Sequence, residues 1–264
     1  MPIIYIYCLY AIALFALAGW MLSFATRHYS HVDSMWSLFM LITAGTTALF
    51  LAPDLSSRAS WVLFAVSVWA LRLSLFITWR NWGKEDYRYE TIRKNNEPHF
   101  WLKSLYIVFA FQALLAWIIS YPLFAAISSD LPWQLLDLPA ALLFMMGVGW
   151  ETLADWQLSR FRADPHNHQG VMRQGLWRYC RHPNYFGECL VWWGFALFGV
   201  ASGSHWAWLS PVLMTLLLLK VSGVGLMEQT IHQRRPGYDD YIASTNAFIP
   251  GLPKKSVLNQ ESES

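Results

Sequence analysis

Residues 3–25 read IIYIYCLYAIALFALAGWMLSFA, a run with no Asp, Glu, Lys or Arg. Wound as a helix at about 1.5 Å per residue, a run of that length crosses a hydrocarbon layer of roughly 30 Å. Two further stretches, 35–52 and 104–127, are equally free of charge. Four more, at about 59–79, 136–157, 185–202 and 206–227, are apolar with one or a few ionisable residues each. None alternates apolar with polar positions, and backbone groups in lipid must be paired within their own segment, so these are helices and not barrel strands. The expected architecture is all-α: a polytopic membrane protein with a seven-transmembrane-helix bundle. The first stretch lacks a basic leading region and a small-residue cleavage site, so it reads as a retained span.

Composition agrees. Of 264 residues, 55% are hydrophobic and 14% charged, whereas a soluble domain is nearer a quarter charged. A disordered chain, a collagen, a disulfide scaffold and a nucleic-acid-binding module are excluded. Cys8, Cys180 and Cys189 form no CxxC pair and no zinc pattern.

Basic residues set the expected orientation. Alternate loops hold 16 Lys and Arg against one, with Arg72 and Lys220 inside spans, so the rich side is cytoplasmic. The N-terminus then faces out and the C-terminus in. Trp79, Trp82, Trp101, Trp133, Trp177 and Trp206 fall near span ends and are expected in the aromatic belts. Residues 1–253 are read as one integral-membrane domain, with 1–127 its substrate half and 136–253 its cofactor half, followed by a flexible tail at 254–264.

Ionisable groups inside a membrane are costly and by default face a bundle interior or cavity. Glu151 and Asp155 lie four apart, on one helical face, and Arg162 continues it. Asn184 and Glu188 share a face of the next span in the same way. Pairing with Arg160, Arg162 or Arg181 to tie helices together is the plain structural account of each carboxylate. The loop between, LSRFRADPHNHQGVMRQGLWRYCRHPN (158–184), carries five arginines, which suit a phosphate-bearing anion, and Arg234 and Arg235 are placed to close it from the tail. Attraction to anionic lipid heads explains the charge of that loop but not its acidic neighbours. His166 and His168 lack a third ligand at fixed spacing, so no metal is expected. Gly147-Val-Gly149 and Gly223-Val-Gly225 lack the third glycine of a dinucleotide fingerprint, and no GxxxxGK[ST], GxSxG or HExxH occurs.

Residues 175–188, GLWRYCRHPNYFGE, resemble the signature of the steroid 5α-reductase C-terminal domain family, in particular its bacterial membrane branch. Glu228 with RRPGYDDYIASTNAFIP (234–250) resembles that family's C-terminal signature, and RNWGKEDYRYETIRK (80–94) is similar to a stretch of the bacterial branch. Pro183 suits the first turn of a helix, whose free N–H groups favour an anion.

The resemblance implies an inner-membrane reductase using NADPH held from the cytoplasm, with an apolar enone entering from the lipid. It assigns cofactor contacts to Asp155, Arg162, Arg178, Asn184, Glu188 and the stretch from His232 to Arg235. Glu151, Arg181, His182 and Tyr185 join that set as its neighbours in the span and signature. Hydride would go to the β-carbon of a conjugated ketone and a proton to the α-carbon, with an acid on the carbonyl oxygen. Steroid-reducing members hold that carbonyl with a Glu on the second span and a Tyr on the third. This sequence has Asp33 in His31-Val-Asp33-Ser-Met-Trp36 and no Tyr in Val68-Trp-Ala-Leu-Arg72, leaving Asp33, Arg72 and Tyr89 as candidates, with an Arg72–Asp33 pair as the plain alternative. An isoprenylcysteine-type methyltransferase shares the RHPxYxG core and would use S-adenosylmethionine instead. A transporter or scaffold would show inverted repeats or broken spans in both halves, and neither is evident.

Overall fold

The computed structural model describes residues 2–51, 54–167, 169–221, 224, 225, 228, 231 and 235–254. His168, His232, Arg234 and the tail from 255 therefore lie outside the described residues. Everything regular among the described residues is helical, with no strand.

The first apolar run forms α1 (Pro2–Thr26), followed by α2 (His31–Leu51) and α3 (Ser57–Arg80). A short α4 (Tyr87–Asn96) leads to α5 (Phe100–Ser104), which continues through a π-helical stretch, Leu105–Ala110, into α6 (Phe111–Ile119). Four of these are long and apolar enough to cross a membrane: Ile3–Thr26, His31–Leu51, Ser57–Arg80 and Phe100–Ile119. The expected span at 104–127 is thus shifted and interrupted. It stops at Ser120, and a separate α7 (Tyr121–Ile127) restarts with Pro122 in its first turn, where the missing N–H costs nothing.

Helix starts carry their own signals. Ser56 caps α3 by accepting from the Ala59 N–H at 3.2 Å, and Asp86 caps α4 from the Arg88 N–H at 3.0 Å. The start of α2 is capped in trans: the Glu85 carboxylate accepts from the Tyr29 and Ser30 N–H groups at 3.0 and 2.9 Å.

Two units divide the chain. Unit 1 comprises residues 1–137 and 195–210, and α2 is its centre, packed against α1, α3, α6 and α7. Phe39, Met40 and Ala44 are fully buried there, while Leu14, Leu49 and Leu75 are exposed, the inverse of a soluble surface. Hydroxyls bind helices where apolar burial gives no drive between lipid-facing segments: Ser37 Oγ donates to the Ala70 carbonyl at 2.8 Å and Ser120 Oγ to Thr43 Oγ1 at 3.0 Å. Arg58 and Asp137 form a fully buried ion pair at 2.6 Å, and Arg58 also donates to the Leu131 and Pro132 carbonyls.

Unit 2 comprises residues 138–194 and 211–264. Its principal helices are α8 (Asp137–Ala163), whose first residue belongs to unit 1, and α9 (Pro183–Ala201), whose last turns do as well. Glycines let the two helices meet at backbone distance: a methyl group at Gly187 would stand 2.6 Å from the Glu151 nitrogen, and one at Gly147 2.7 Å from the Val191 nitrogen. Gly147 therefore serves helix packing. The expected seventh span at 206–227 begins with a 3₁₀ turn, His205–Trp208, then α10 (Leu209–Leu216) and a π stretch, Leu217–Val221. The last helix among the described residues is α11 (Tyr238–Ser244).

Trp79, Trp82 and Trp206 are exposed as belt residues should be, but Trp177 is not. It is buried, with its indole N–H donating to the Ala154 carbonyl at 3.0 Å, because the 158–184 loop folds back onto α8.

Candidate functional site

In unit 1 the structure brings Asp33 and Tyr89 together. The Tyr89 hydroxyl donates to Asp33 Oδ1 at 2.5 Å, and Arg88 Nη2 donates to Asp33 Oδ2 at 2.6 Å. Arg88 also holds Asp86 at 3.0 Å, and Gln112 Nε2 donates to the Tyr89 oxygen at 3.1 Å. Tyr89 sits on α4 and is buried. Burial and the neighbouring Asp33 carboxylate lift the phenol well above its ordinary range, so it keeps its proton at neutral pH. Burial pushes Asp86 up as well, but the Arg88 hydrogen bond and charge outweigh it and hold Asp86 low.

The alternative of an Arg72–Asp33 pair is not what forms. Arg88 is the cation on Asp33, while Arg72 lies on α3 with its guanidinium 5.5 Å from the Phe76 ring. Arg88 and Gln112 were not foreseen. The signal for Arg88 was present in the Asp86-Tyr-Arg-Tyr89 density of the 80–94 stretch, whereas Gln112 is one amide in an apolar run, its partner fixed only by packing.

In unit 2, Glu151 and Asp155 are both buried on α8, and Glu188 is buried on α9. Asn184 Nδ2 donates to Asp155 Oδ1 at 3.2 Å, and Glu188 Oε1 accepts from the Trp192 indole at 3.1 Å. The same-face spacing thus brings the acidic and amide groups into contact, with Pro183 opening α9 as its sequence predicts. Arg162 and Arg178 are exposed, and Tyr185 is half-buried.

Arg181 and His182 have other duties. Arg181 grips Glu228 through Nε and Nη2 at 2.7 and 2.9 Å, and its Nη1 donates to the Ile242 carbonyl at 3.1 Å and to that of Thr245. His182 Nε2 lies 3.0 Å from Glu228 Oε1, its ring stacked on Tyr185. Burial raises Glu228, but its bonds to His182 and Arg181 prevail and bring it down to about 2. These residues fasten the C-terminal segment to the start of α9. The tail also closes on the 158–184 loop: Arg235 donates to the Gly170 carbonyl and Arg173 to that of Gly237. His166 pairs with Asp164 at 2.9 Å, and no group of metal-ligating side chains occurs among the described residues.

The model of the family described as a protein of unknown function, DUF1295, matches residues 19–245, and the chain belongs to that family. It is also 27% identical over 265 residues to an uncharacterised protein of Schizosaccharomyces pombe, covering 88% of this chain and 76% of that relative.

Proposed function

We propose that this chain is an NADPH-dependent membrane reductase that saturates the C=C bond of an apolar conjugated ketone reaching it from the lipid. The observation that carries the reading is the Tyr89–Asp33–Arg88 arrangement: a buried phenol that keeps its proton, oriented by a carboxylate that is itself pinned by a guanidinium. Membership in a steroid 5α-reductase-like family supports it. The Tyr that the family carries on the third span is absent, and in this reading Tyr89 on the next helix takes its part.

The set in unit 2 fits NADPH in part. Trp150 Nε1, next to Glu151, is a buried donor without a hydrogen-bond partner among the described residues. Glu151, Asp155 and Glu188 offer acceptors to hydroxyl and amide groups, and exposed Arg162 and Arg178 offer cations to phosphates. Arg181 and His182, tied to Glu228, would position this set. The cofactor would supply the hydride.

The remaining chemistry belongs to the chain. Tyr89 turns its hydroxyl from Asp33 to the substrate's carbonyl oxygen, where charge develops as the β-carbon is reduced. Asp33 then remains paired to Arg88, so no isolated charge is left buried. Apolar outer faces on α1 and α3 admit the substrate sideways. The reading includes seven spans, with α8, α9 and the segment from His205 crossing as well, and basic loops at the cytoplasm of an inner membrane.

The test uses detergent-solubilised full chain. NADPH should bind and raise the thermal unfolding midpoint, and Glu188→Ala and Asn184→Ala should each weaken that binding about tenfold or more, since each removes a bond to a desolvated polar group. If S-adenosylmethionine gives the protection and NADPH none, the reductase reading fails and the methyltransferase replaces it.

A further inference from the structure

A second feature of unit 1 is independent of that reading. Where α1 ends and α5 begins, a cleft of about 170 Å³ is lined by Phe24, Arg27 and Tyr29 on one side and by Arg93, Glu97, Phe100 and Trp101 on the other. Its charges do not balance. Arg93 meets Glu97 at 3.4 Å in a half-exposed pair, the kind that holds weakly, while Arg27 makes no hydrogen bond or ion pair with any described residue. Arg27 and Arg93 both line the cleft, with Glu97 the carboxylate that lines it beside them.

Backbone geometry marks the same place. Among the described residues, the non-glycine residues with positive φ are Arg27 at 60°, which lines the cleft, and His99 at 66°, which directly precedes the lining residue Phe100. Such conformations persist only where surrounding structure enforces them, and they cluster at ligand clamps. Aromatic rings wall the opening: Trp20 donates to the Trp101 carbonyl at 2.8 Å, and Phe24 packs on Trp101 at 5.6 Å. Phe24 and Trp101 are nevertheless exposed, as are Met21, Leu22 and Leu102 beside them on two candidate spans.

We propose that this cleft binds the phosphate head of an anionic phospholipid, with its acyl chains along the Phe24 and Trp101 side. Two guanidiniums against one carboxylate select a phosphate. Their position at the ends of apolar helices, beside uncovered aromatic and aliphatic surface, selects a lipid over a soluble anion, which would cover none of it.

Native mass spectrometry and thermal unfolding of the full chain in detergent, with phosphatidylglycerol, phosphatidylcholine or inorganic phosphate added, test this. The wild type should hold phosphatidylglycerol more tightly than phosphatidylcholine, and Arg27→Gln and Arg93→Gln should each lower that preference about fivefold, the effect of one basic side chain at an anionic surface. Glu97→Gln should raise it, which no folding defect would mimic, and Arg80→Gln, at the end of α3, should leave it unchanged. Equal binding of the two lipids by the wild type, a preference surviving in the double arginine variant, or full stabilisation by inorganic phosphate alone would each overturn the proposal.

Discussion

Each unit contains an arginine gripping a carboxylate beside an aromatic ring, yet the two arrangements do different things. In unit 2, Arg181 gives Glu228 two bonds and gives carbonyls of the C-terminal segment two more, and His182 reaches the same carboxylate. Such a cluster is finished: its donors all point at permanent partners. In unit 1, Arg88 takes one oxygen of Asp33, and the other receives a phenol that can turn to a new acceptor. The pairing of charges is common to both. What separates a fastening from a site capable of chemistry is whether one member of the network can exchange its partner without leaving a buried charge alone.

Removing that member is the largest test of the difference. Tyr89→Phe keeps the ring that fills the space beside Asp33 and deletes only the hydroxyl. Turnover of an enone substrate should fall by roughly 100-fold or more, the usual contribution of a positioned acid, with thermal stability lowered by about 2 kcal/mol for two lost hydrogen bonds, one of them to a carboxylate. NADPH affinity should be unaltered, which separates loss of the acid from general damage. Equal losses in stability and turnover would place Tyr89 with the fastenings.

The reciprocal change belongs in unit 2. Arg181→Ala takes from Glu228 both of its guanidinium bonds and unseats the carbonyls of Ile242 and Thr245. Removing one member of a buried pair costs about 3 kcal/mol or more, and the lower end applies because Glu228 keeps 20% of its side chain in solvent. Differential unfolding in detergent should show that loss. A stability within 0.5 kcal/mol or so of wild type would mean the clamp holds nothing, since surface substitutions reach about that size.

These contrasts also show what the sequence could convey. Long apolar runs have a local cause, the thickness of hydrocarbon, so the first three spans were legible nearly to their ends. The spacing of Glu151, Asp155, Asn184 and Glu188 was legible for the same reason, because four residues along a helix fix a shared face whatever lies opposite. Partner choice has no such local origin. Arg72 and Arg88 are equally able to pair with Asp33, and only the turn at 81–86 that carries α4 back to the start of α2 decides for Arg88. Arg181 read as an anion ligand because its loop is basic, and nothing nearby announced a glutamate 47 residues away. The interruption at Ser120 was hidden differently: Pro122 was visible, but Pro is tolerated in spans that neighbours repair, so its presence did not fix where the helix would stop.

The smallest effect is on pH dependence, where the two networks should again part. Glu228 is held at about 2 in the folded protein, against 4.5 for a free glutamate. The folded state therefore binds fewer protons than the unfolded chain in this window, and stability must decline with acidification. The contribution from Glu228 is whole above about 4.5, shrinks as the pH falls, and is gone near 2. Other carboxylates titrate in the same range, so the informative quantity is the gap in stability between wild type and Glu228→Gln. That gap should be constant from neutral pH down to about 4.5 and narrow below it. Partial exposure to solvent keeps the change modest, since water already screens part of the pair. A gap that stayed constant to the acid limit would show that the glutamate acts through shape and hydrogen bonding and not through its charge. The clamp would then resemble the Asp33 network in the one respect that now distinguishes them, tolerance for a neutral partner.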